Sequence, residues 1–332
     1  MNVTDIYTNN ANINSEHFAT NDFFSQEGKL VSYNLKEFLS MPIPKAEYIL
    51  HPILCERRNT LIYAPRGAGK TWFCLTIAWA AASGTSFIDR WPAMKACKVT
   101  YIDGEMAADD MQERLKLITG GKASDQAAEN FRLITPDLCS GPMPNIATTT
   151  GQDALTPLIM DSDLIFIDNI SSFCLLNNEN DAESWGTVRE WMFYLRKMGK
   201  TVVLVHHAGK NGQQRGTSSR EDNLEITISL KHPKGYRIDQ GARFEVHFEK
   251  ARGIVGGDAK PFALQMIKKE TEIAWEYRPL SPEKKVAELD PKQQKIISLS
   301  EQGKSLSAIA EETNTPRSTV QRIIKRAKAT DN

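Results

Sequence analysis

One octapeptide and three strand ends carry residue types suited to phosphate chemistry. Ala64-Pro65-Arg66-Gly67-Ala68-Gly69-Lys70-Thr71 follows an apolar run and opens a helical one. Its spacing is that of a phosphate-binding loop, G-x-x-x-x-G-K-[ST], with Ala64 in place of the first glycine. Gly67 and Gly69 let the backbone curl so that its N–H groups face an anion, and the helix starting at Lys70 directs its positive end at the same point. Lys70 is placed to reach β- and γ-phosphates and the Thr71 hydroxyl to ligate Mg²⁺. Residues 66–72, Arg66, Gly67, Ala68, Gly69, Lys70, Thr71 and Trp72, are the expected nucleotide contacts, with ATP and Mg²⁺ as the implied ligands. Asp163-Leu164-Ile165-Phe166-Ile167-Asp168 is an apolar strand ending in a carboxylate, so Asp168 is a second candidate for Mg²⁺, with Asn169 and Ser171 next to it. Val99–Asp103 ends in Asp103-Gly104-Glu105. Glu105 is the first candidate to orient an attacking water, and Asp103 the second. Thr201–Val205 runs into His206-His207; neighbours on a strand point to opposite faces, so one of the two can face a γ-phosphate.

These groups need a scaffold that brings several strand ends together. From residue 59 short β-rich runs alternate with longer helical segments. Thr60–Tyr63, Val99–Asp103, Phe131–Ile134, Leu164–Asp168 and Thr201–His206 read as strands, with helices over Lys70–Ala82, Ala107–Ile118 and about Asp181–Met198. That alternation implies an α/β fold with a mainly parallel central sheet covered on both faces. After residue 223 the helices cease, and Leu224–Leu230, Ala242–Lys250 and Phe262–Trp275 read as further strands in a hairpin-like extension of the sheet. Residues 1–40, rich in Asn, Ser and Thr, read as a flexible arm with one short helix near Leu35–Leu39 and possible docking to a protein partner. Residues 41–278 form the expected main domain, 279–290 a linker and 291–329 a small all-α module.

Composition narrows the classes further. The chain has 332 residues with 41 Lys+Arg against 41 Asp+Glu, 41% hydrophobic and 25% charged. That is ordinary globular composition, and the even charge excludes a histone-like polybasic protein. The apolar runs fall far short of the ~20 residues of a membrane helix, and the first residues lack a basic-then-apolar leader. Five scattered cysteines with no C-x-x-C pair read as reduced thiols, pointing to a cytoplasmic protein without structural zinc.

The set of motifs resembles the RecA-type ATPases, and within them the RepA-type hexameric replicative helicases of plasmids, relatives of the DnaB-type helicases. The resemblance spans roughly residues 45–278. It rests on Ala64–Thr71, Tyr101–Glu105, Leu164–Asn169, and His206-His207-Ala208-Gly209-Lys210 followed by Arg215-Gly216-Thr217-Ser218 and Asp222-Asn223. It implies a RecA-like P-loop NTPase core in which Glu105 is the catalytic glutamate, Asp168 the magnesium aspartate, and His206 or His207 the sensor. The loop Gly209–Ser219 matches a segment lining a central channel, where Lys210, Gln213, Gln214 and Arg215 would grip the phosphates of single-stranded DNA. Lys250-Ala251-Arg252-Gly253 looks like the superfamily's K-x-R finger, so Lys250 and above all Arg252 would act on the neighbouring subunit's γ-phosphate in a homo-oligomer, with a hexamer favoured.

The last module reads as a helix-turn-helix. Helices are expected over Lys292–Gln302 and from the Ser305 cap to Glu312, then a third one capped by Thr315 with Pro316 at its first position. Residues 291–328 hold eight Lys/Arg against three Asp/Glu. Arg317, Thr319, Gln321 and Arg322 are the candidates for the major groove of duplex DNA. The whole chain thus reads as a DNA-dependent ATPase of a mobile element or phage that moves on or remodels DNA. An ATP-controlled DNA-binding regulator or loader is the alternative, and a defence or partition ATPase a third reading.

Overall fold

The computed structural model describes residues 30–88, 90–174, 182–209, 224–280 and 290–328. The chain divides into two compact units that meet at Pro279/Leu280.

In the first unit the chain order is α1 (Leu35–Ser40), a hairpin of β1 (Tyr48–Leu50) and β2 (Leu54–Cys55), β3 (Asn59–Ala64), α2 (Lys70–Ser83), β4 (Val99–Asp103), α3 (Ala108–Thr119), α4 (Asp125–Asn130), β5 (Phe131–Ile134) and α5 (Thr149–Ile159). It continues through β6 (Leu164–Asp168), α6 (Ile170–Phe173), α7 (Ala182–Lys197), β7 (Thr201–His207), β8 (Ile226–Lys231), β9 (Arg243–Ala251), β10 (Phe262–Lys268) and β11 (Ile273–Pro279). Nine strands form one sheet in the order β11-β10-β9-β8-β3-β7-β6-β4-β5. From β5 to β8 neighbours are parallel, and β9, β10 and β11 are added antiparallel.

Every residue of β3, β4, β6 and β7 is buried, as expected for parallel strands covered on both faces. Alternation splits these strands between two cores. Leu164, Phe166, Val203 and Val205 pack with α2, while Ile165, Ile167, Val202 and Leu204 pack with Trp185, Val188, Met192 and Leu195 of α7.

Helix α2 is apolar on nearly every side, with Phe73, Cys74, Leu75, Ile77, Ala78, Ala80, Ala81 and Ala82 all buried. A helix of that kind must be surrounded. Both edges of the sheet reach it. The Trp79 ring meets Phe131 of β5, their centroids 6.4 Å apart, and Asn130 Nδ2 donates to the Ala82 carbonyl at 3.0 Å. From the far edge, Trp275 of β11 lies 6.3 Å from the Phe73 ring and donates its indole N–H to Thr76 Oγ1 at 3.2 Å. The sheet therefore curls around α2.

Four elements are not foreseen from the sequence, one of them α6, a single turn of four residues capped by Asn169. The β1–β2 hairpin is only three plus two residues long. Helix α4 is a single short turn behind its Ser124 cap. Helix α5 opens on Thr-Thr-Gly and carries Pro157 inside, which are signals against a helix. Tertiary packing overrides them, because Gly151 lies so close to the chain at Asn145 that a Cβ there would sit 2.0 Å from the Asn145 carbonyl oxygen.

The second unit holds α8 (Pro291–Glu301), α9 (Leu306–Glu312) and α10 (Arg317–Lys328). Ile296, Leu299, Ile309 and Val320 form its core. Asp290 caps α8 by accepting from Lys292 N at 3.1 Å, and Ser305 caps α9 by accepting from Ala308 N at 3.3 Å. Thr315 does not cap α10 as expected. Its hydroxyl donates to the Thr313 carbonyl, and the Pro316 carbonyl accepts the first helical amides, from Thr319 and Val320.

Gly151→Ala should lower stability by about 1–3 kcal/mol, the usual cost of overpacking. Gly186→Ala, in α7 with nothing near its Cβ position, should raise it by about 0.5–1 kcal/mol. Urea midpoints of the two variants check the contrast.

Candidate functional site

The phosphate loop spans the end of β3 and the start of α2. Gly67 and Gly69 take φ of 77° and 93°, the left-handed region open to glycine. A Cβ on Gly69 would lie 2.4 Å from the Ala242 Cβ, so no side chain fits there. Around Gly67 nothing lies within 4 Å of that position, which leaves the inside of the curl open. Ala64 needs no such freedom. It is a fully buried strand residue paired with His207, which is why alanine serves where the motif has glycine.

Lys70 is 7% exposed, and its Nζ lies 3.9 Å from Asp168 Oδ1. The other Asp168 oxygen accepts from the buried Tyr101 hydroxyl at 2.7 Å. Tyr101 opens the Tyr101–Glu105 motif, but nothing in the motif points to this bond. It holds the carboxylate toward α2. Thr71 follows Lys70 in the first helical turn. The Thr71 hydroxyl and the Asp168 carboxylate are both hard oxygen donors, which suits Mg²⁺.

Strand register brings the remaining groups to the same edge. Asp103 is level with Asp168 and Ala64 with His207. The Asp103 carboxylate accepts from Met106 N at 2.8 Å and from Glu105 N at 3.3 Å. It thus folds the turn that carries Glu105, and burial together with the charges of Asp168 and Glu105 raises its pKa to about 6. Glu105 itself has a half-exposed side chain. Its Oε1 accepts from Ser172 Oγ at 3.1 Å and lies 3.6 Å from His207 Nε2. Burial raises the Glu105 carboxyl, but hydrogen bonds from Asn169, Ser172 and His207 with the charge of His207 outweigh it, and the net shift is downward. Of the two carboxylates, Glu105 is the one placed to meet a water, because its side chain is half-exposed, whereas Asp103 is buried and its Oδ2 accepts two backbone amides.

Alternation along β7 separates the histidines. His207 shares the face of Val203 and Val205, toward α2, and sits 3.3 Å from Asn169 Nδ2. Burial, then the nearby charges of Lys70 and Arg66, push His207 toward the neutral form against the pull of Glu105. His206 falls on the face of Val202 and Leu204, against α7, so it is not part of this cluster as the sequence allowed. Trp72 is half-buried with the Arg114 guanidinium of α3 over its ring. Asn169 Oδ1 caps α6 through Ser171 N at 3.0 Å, and the Ser171 hydroxyl is buried without a partner among the described residues.

Lys250 and Arg252 lie elsewhere. Lys250 pairs with Thr227 and Ala251 with Ile226, and Ile226 is level with Thr60 near the start of β3. The end of β9 therefore lies at the edge of the sheet opposite the phosphate loop, with Arg252 exposed and its N–H bonded to the Glu225 carbonyl. Neither cation reaches its own chain's loop. Lys210, Gln213, Gln214 and Arg215 lie outside the described residues. In the second unit Arg317, Gln321 and Arg322 are exposed on α10, while Thr319 is half-buried beside the buried Val320.

Gly69→Ala should weaken nucleotide binding, since strain at positive φ of about 1–3 kcal/mol adds to the clash with Ala242. Adding Ala242→Gly should restore only a small part of the affinity, because it removes the 2.4 Å contact with the Ala242 Cβ but leaves the Ala242 Cα at 2.9 Å and the strain of positive φ. Calorimetric titration of both variants with a non-hydrolysable ATP analogue reads this out.

Comparison with known proteins gives two family matches. Residues 283–330 match the Sigma-70, region 4 family, over the helices of the second unit. No curated protein matches the chain. Among solved structures, the KaiC-like protein PH0186 from Pyrococcus horikoshii OT3 aligns with a TM-score of 0.50 at 15% identity, over 69% of this chain and 93% of that one. The flagellar accessory protein FlaH from Methanocaldococcus jannaschii gives 0.47 at 13% identity, over 67% and 90%. The RadB recombinase gives 0.46 at 13% identity, over 65% and 90%. The fold is the α/β, RecA-like one, with a P-loop core and a mainly parallel sheet, followed by a helical module of helix-turn-helix type. Residues 27–213, more than half of the chain, match the AAA_25 family of AAA domains, and the protein belongs to that P-loop ATPase family.

Proposed function

We propose that this protein is an oligomeric, DNA-dependent ATPase that hydrolyses ATP between subunits to move on or remodel DNA, in the manner of RepA-type helicases. The observation that carries the reading is a division of the chemistry across the sheet. Lys70, Asp168, Glu105 and His207 converge at one edge, while Lys250 and Arg252 sit at the other.

In this reading the amides of residues 67–72 and Lys70 hold the triphosphate, and Thr71 with Asp168 would hold Mg²⁺, which supplies charge neutralisation on the phosphates. Glu105, ionised and steadied by Ser172, orients water in line with the γ-phosphate. His207, kept neutral, links the γ-phosphate to Glu105 and Asn169. Charge spreads over the transferred phosphoryl in the transition state, and a cation placed there is worth about 10³–10⁵ in rate. Arg252 provides it only from a second subunit, because its own phosphate loop is out of reach.

The helix-turn-helix supports a second reading, in which nucleotide state governs a duplex-bound regulator or loader. Exposed Arg317, Gln321 and Arg322 on α10, with Thr319 beside them, are the proposed duplex contacts, and Lys210, Gln213, Gln214 and Arg215 the proposed single-strand contacts.

Lys70→Ala and Arg252→Ala should each abolish turnover alone, and mixing the two should recover part of it, because the first variant supplies an intact finger to the loop of the second. Absence of recovery at any ratio counts against a shared site. Glu105→Gln should bind ATP normally and turn it over about 10²–10⁴ times more slowly. On a forked substrate the first reading requires strand displacement, and the second requires sequence-specific duplex binding without it. Arg322→Ala should weaken binding to the preferred duplex by about 1–3 kcal/mol and relax sequence preference at one position, read by titration against matched and mismatched duplexes.

A further inference from the structure

The groups that would hold the triphosphate leave the base of the nucleotide without a partner, and the structure offers one beside it. The γ-phosphate end is marked by Asp168 at the end of β6, Glu105 on the turn after β4 and His207 at the end of β7. The loop's amides cradle the α- and β-phosphates, so the nucleoside leaves from the first turn of α2. The side chain that follows Thr71 in that turn is Trp72. It is half-buried, and the Arg114 guanidinium lies over its ring, 4.8 Å from the centroid.

Arg114 comes from a different element, α3, and is itself half-buried. Asp110, one turn earlier on α3, and Asp103 and Asp168 from the site lie near enough to act on its charge. The next residue back, Glu113, accepts an ion pair from Lys268 of β10 at 3.3 Å, so α3 is tied to the sheet where it crosses α2. The result is a planar cation stacked on the largest aromatic side chain, assembled at the mouth of the phosphate loop.

We propose that the Trp72–Arg114 stack is the platform on which the base of the bound nucleoside triphosphate lies. Indole faces and guanidinium planes both accept nucleobase faces, and such stacking is indifferent to the hydrogen-bonding edge. The platform rests on the ATPase reading given above and assigns its base subsite.

The test is calorimetry on the full chain with two Mg²⁺-bound probes, ATPγS and inorganic tripolyphosphate, which lacks the base. Trp72→Ala and Arg114→Ala should each weaken ATPγS by about tenfold to a hundredfold, the range of one lost base stack, and leave tripolyphosphate unchanged. Trp72→Phe, which keeps an aromatic face, should retain most of the ATPγS affinity, and Arg114→Lys, which loses the plane, should not. These two milder variants carry the test if the alanine variants fail to fold. Unchanged ATPγS affinity in the variants overturns the platform. So does parallel weakening of both probes, which would mean that the stack only packs α3 on α2. So does loss of single-stranded DNA binding with ATPγS affinity intact. A wild-type chain that binds neither probe would instead overturn the ATPase reading itself.

Discussion

The first turn of α2 keeps its place because the helix is buried along its whole length inside a curled sheet. Trp79 and Asn130 tie it to the β5 edge, Phe73 and Trp275 to the β11 edge, and Ala242 closes against Gly69 at its start. A helix N-terminus attracts anions through a few unsatisfied amides and a partial charge that fades within one turn. That attraction does chemistry only if the amides stay fixed relative to Asp168, Glu105 and His207. The packing of α2 supplies the fixity, and β7, β6 and the turn after β4, all on one side of β3, supply the three side chains.

Within that frame each polar group has a defined neighbour. Tyr101 holds Asp168, Asp103 folds the turn under Glu105, and Ser172 and His207 meet Glu105. Buried polar networks of this type are rigid when their members are satisfied. The division of roles between the two carboxylates follows from the same bonds. Asp103 is buried and its Oδ2 holds two backbone amides, while about half of the Glu105 side chain stays exposed.

Much of this was legible in the residues themselves. Strands and helices with strong periodicity fall where the pattern puts them, β4, β5 and β6 to the residue, because apolar runs bounded by turns leave few alternatives. The histidine pair showed what a sequence alone leaves open. Alternation says that His206 and His207 face opposite ways, but only the pairing of β7 with β6 says which one faces Asp168. Ala64 looked like a defect in the loop motif and is a strand residue. Helix α5 was invisible because Gly151 and Pro157 speak against a helix, and its stability comes from contacts distant in sequence. Ser172 and Arg114 carry no motif, and the role of Tyr101, inside one, becomes visible only when strands and helices are brought together. The hairpin-like course of β8 and β9 was legible, but the register that puts Lys250 and Arg252 at the far edge was not.

The central claim is that the amides at the start of α2 hold a nucleotide. Amide hydrogen exchange, followed across the chain with and without Mg²⁺-ATPγS, addresses it directly. Exchange should slow across residues 67–73 on addition of nucleotide, and the same segment should show no slowing in Lys70→Ala. Unaltered exchange there in the wild-type chain, at nucleotide concentrations that saturate known P-loop proteins, would contradict it.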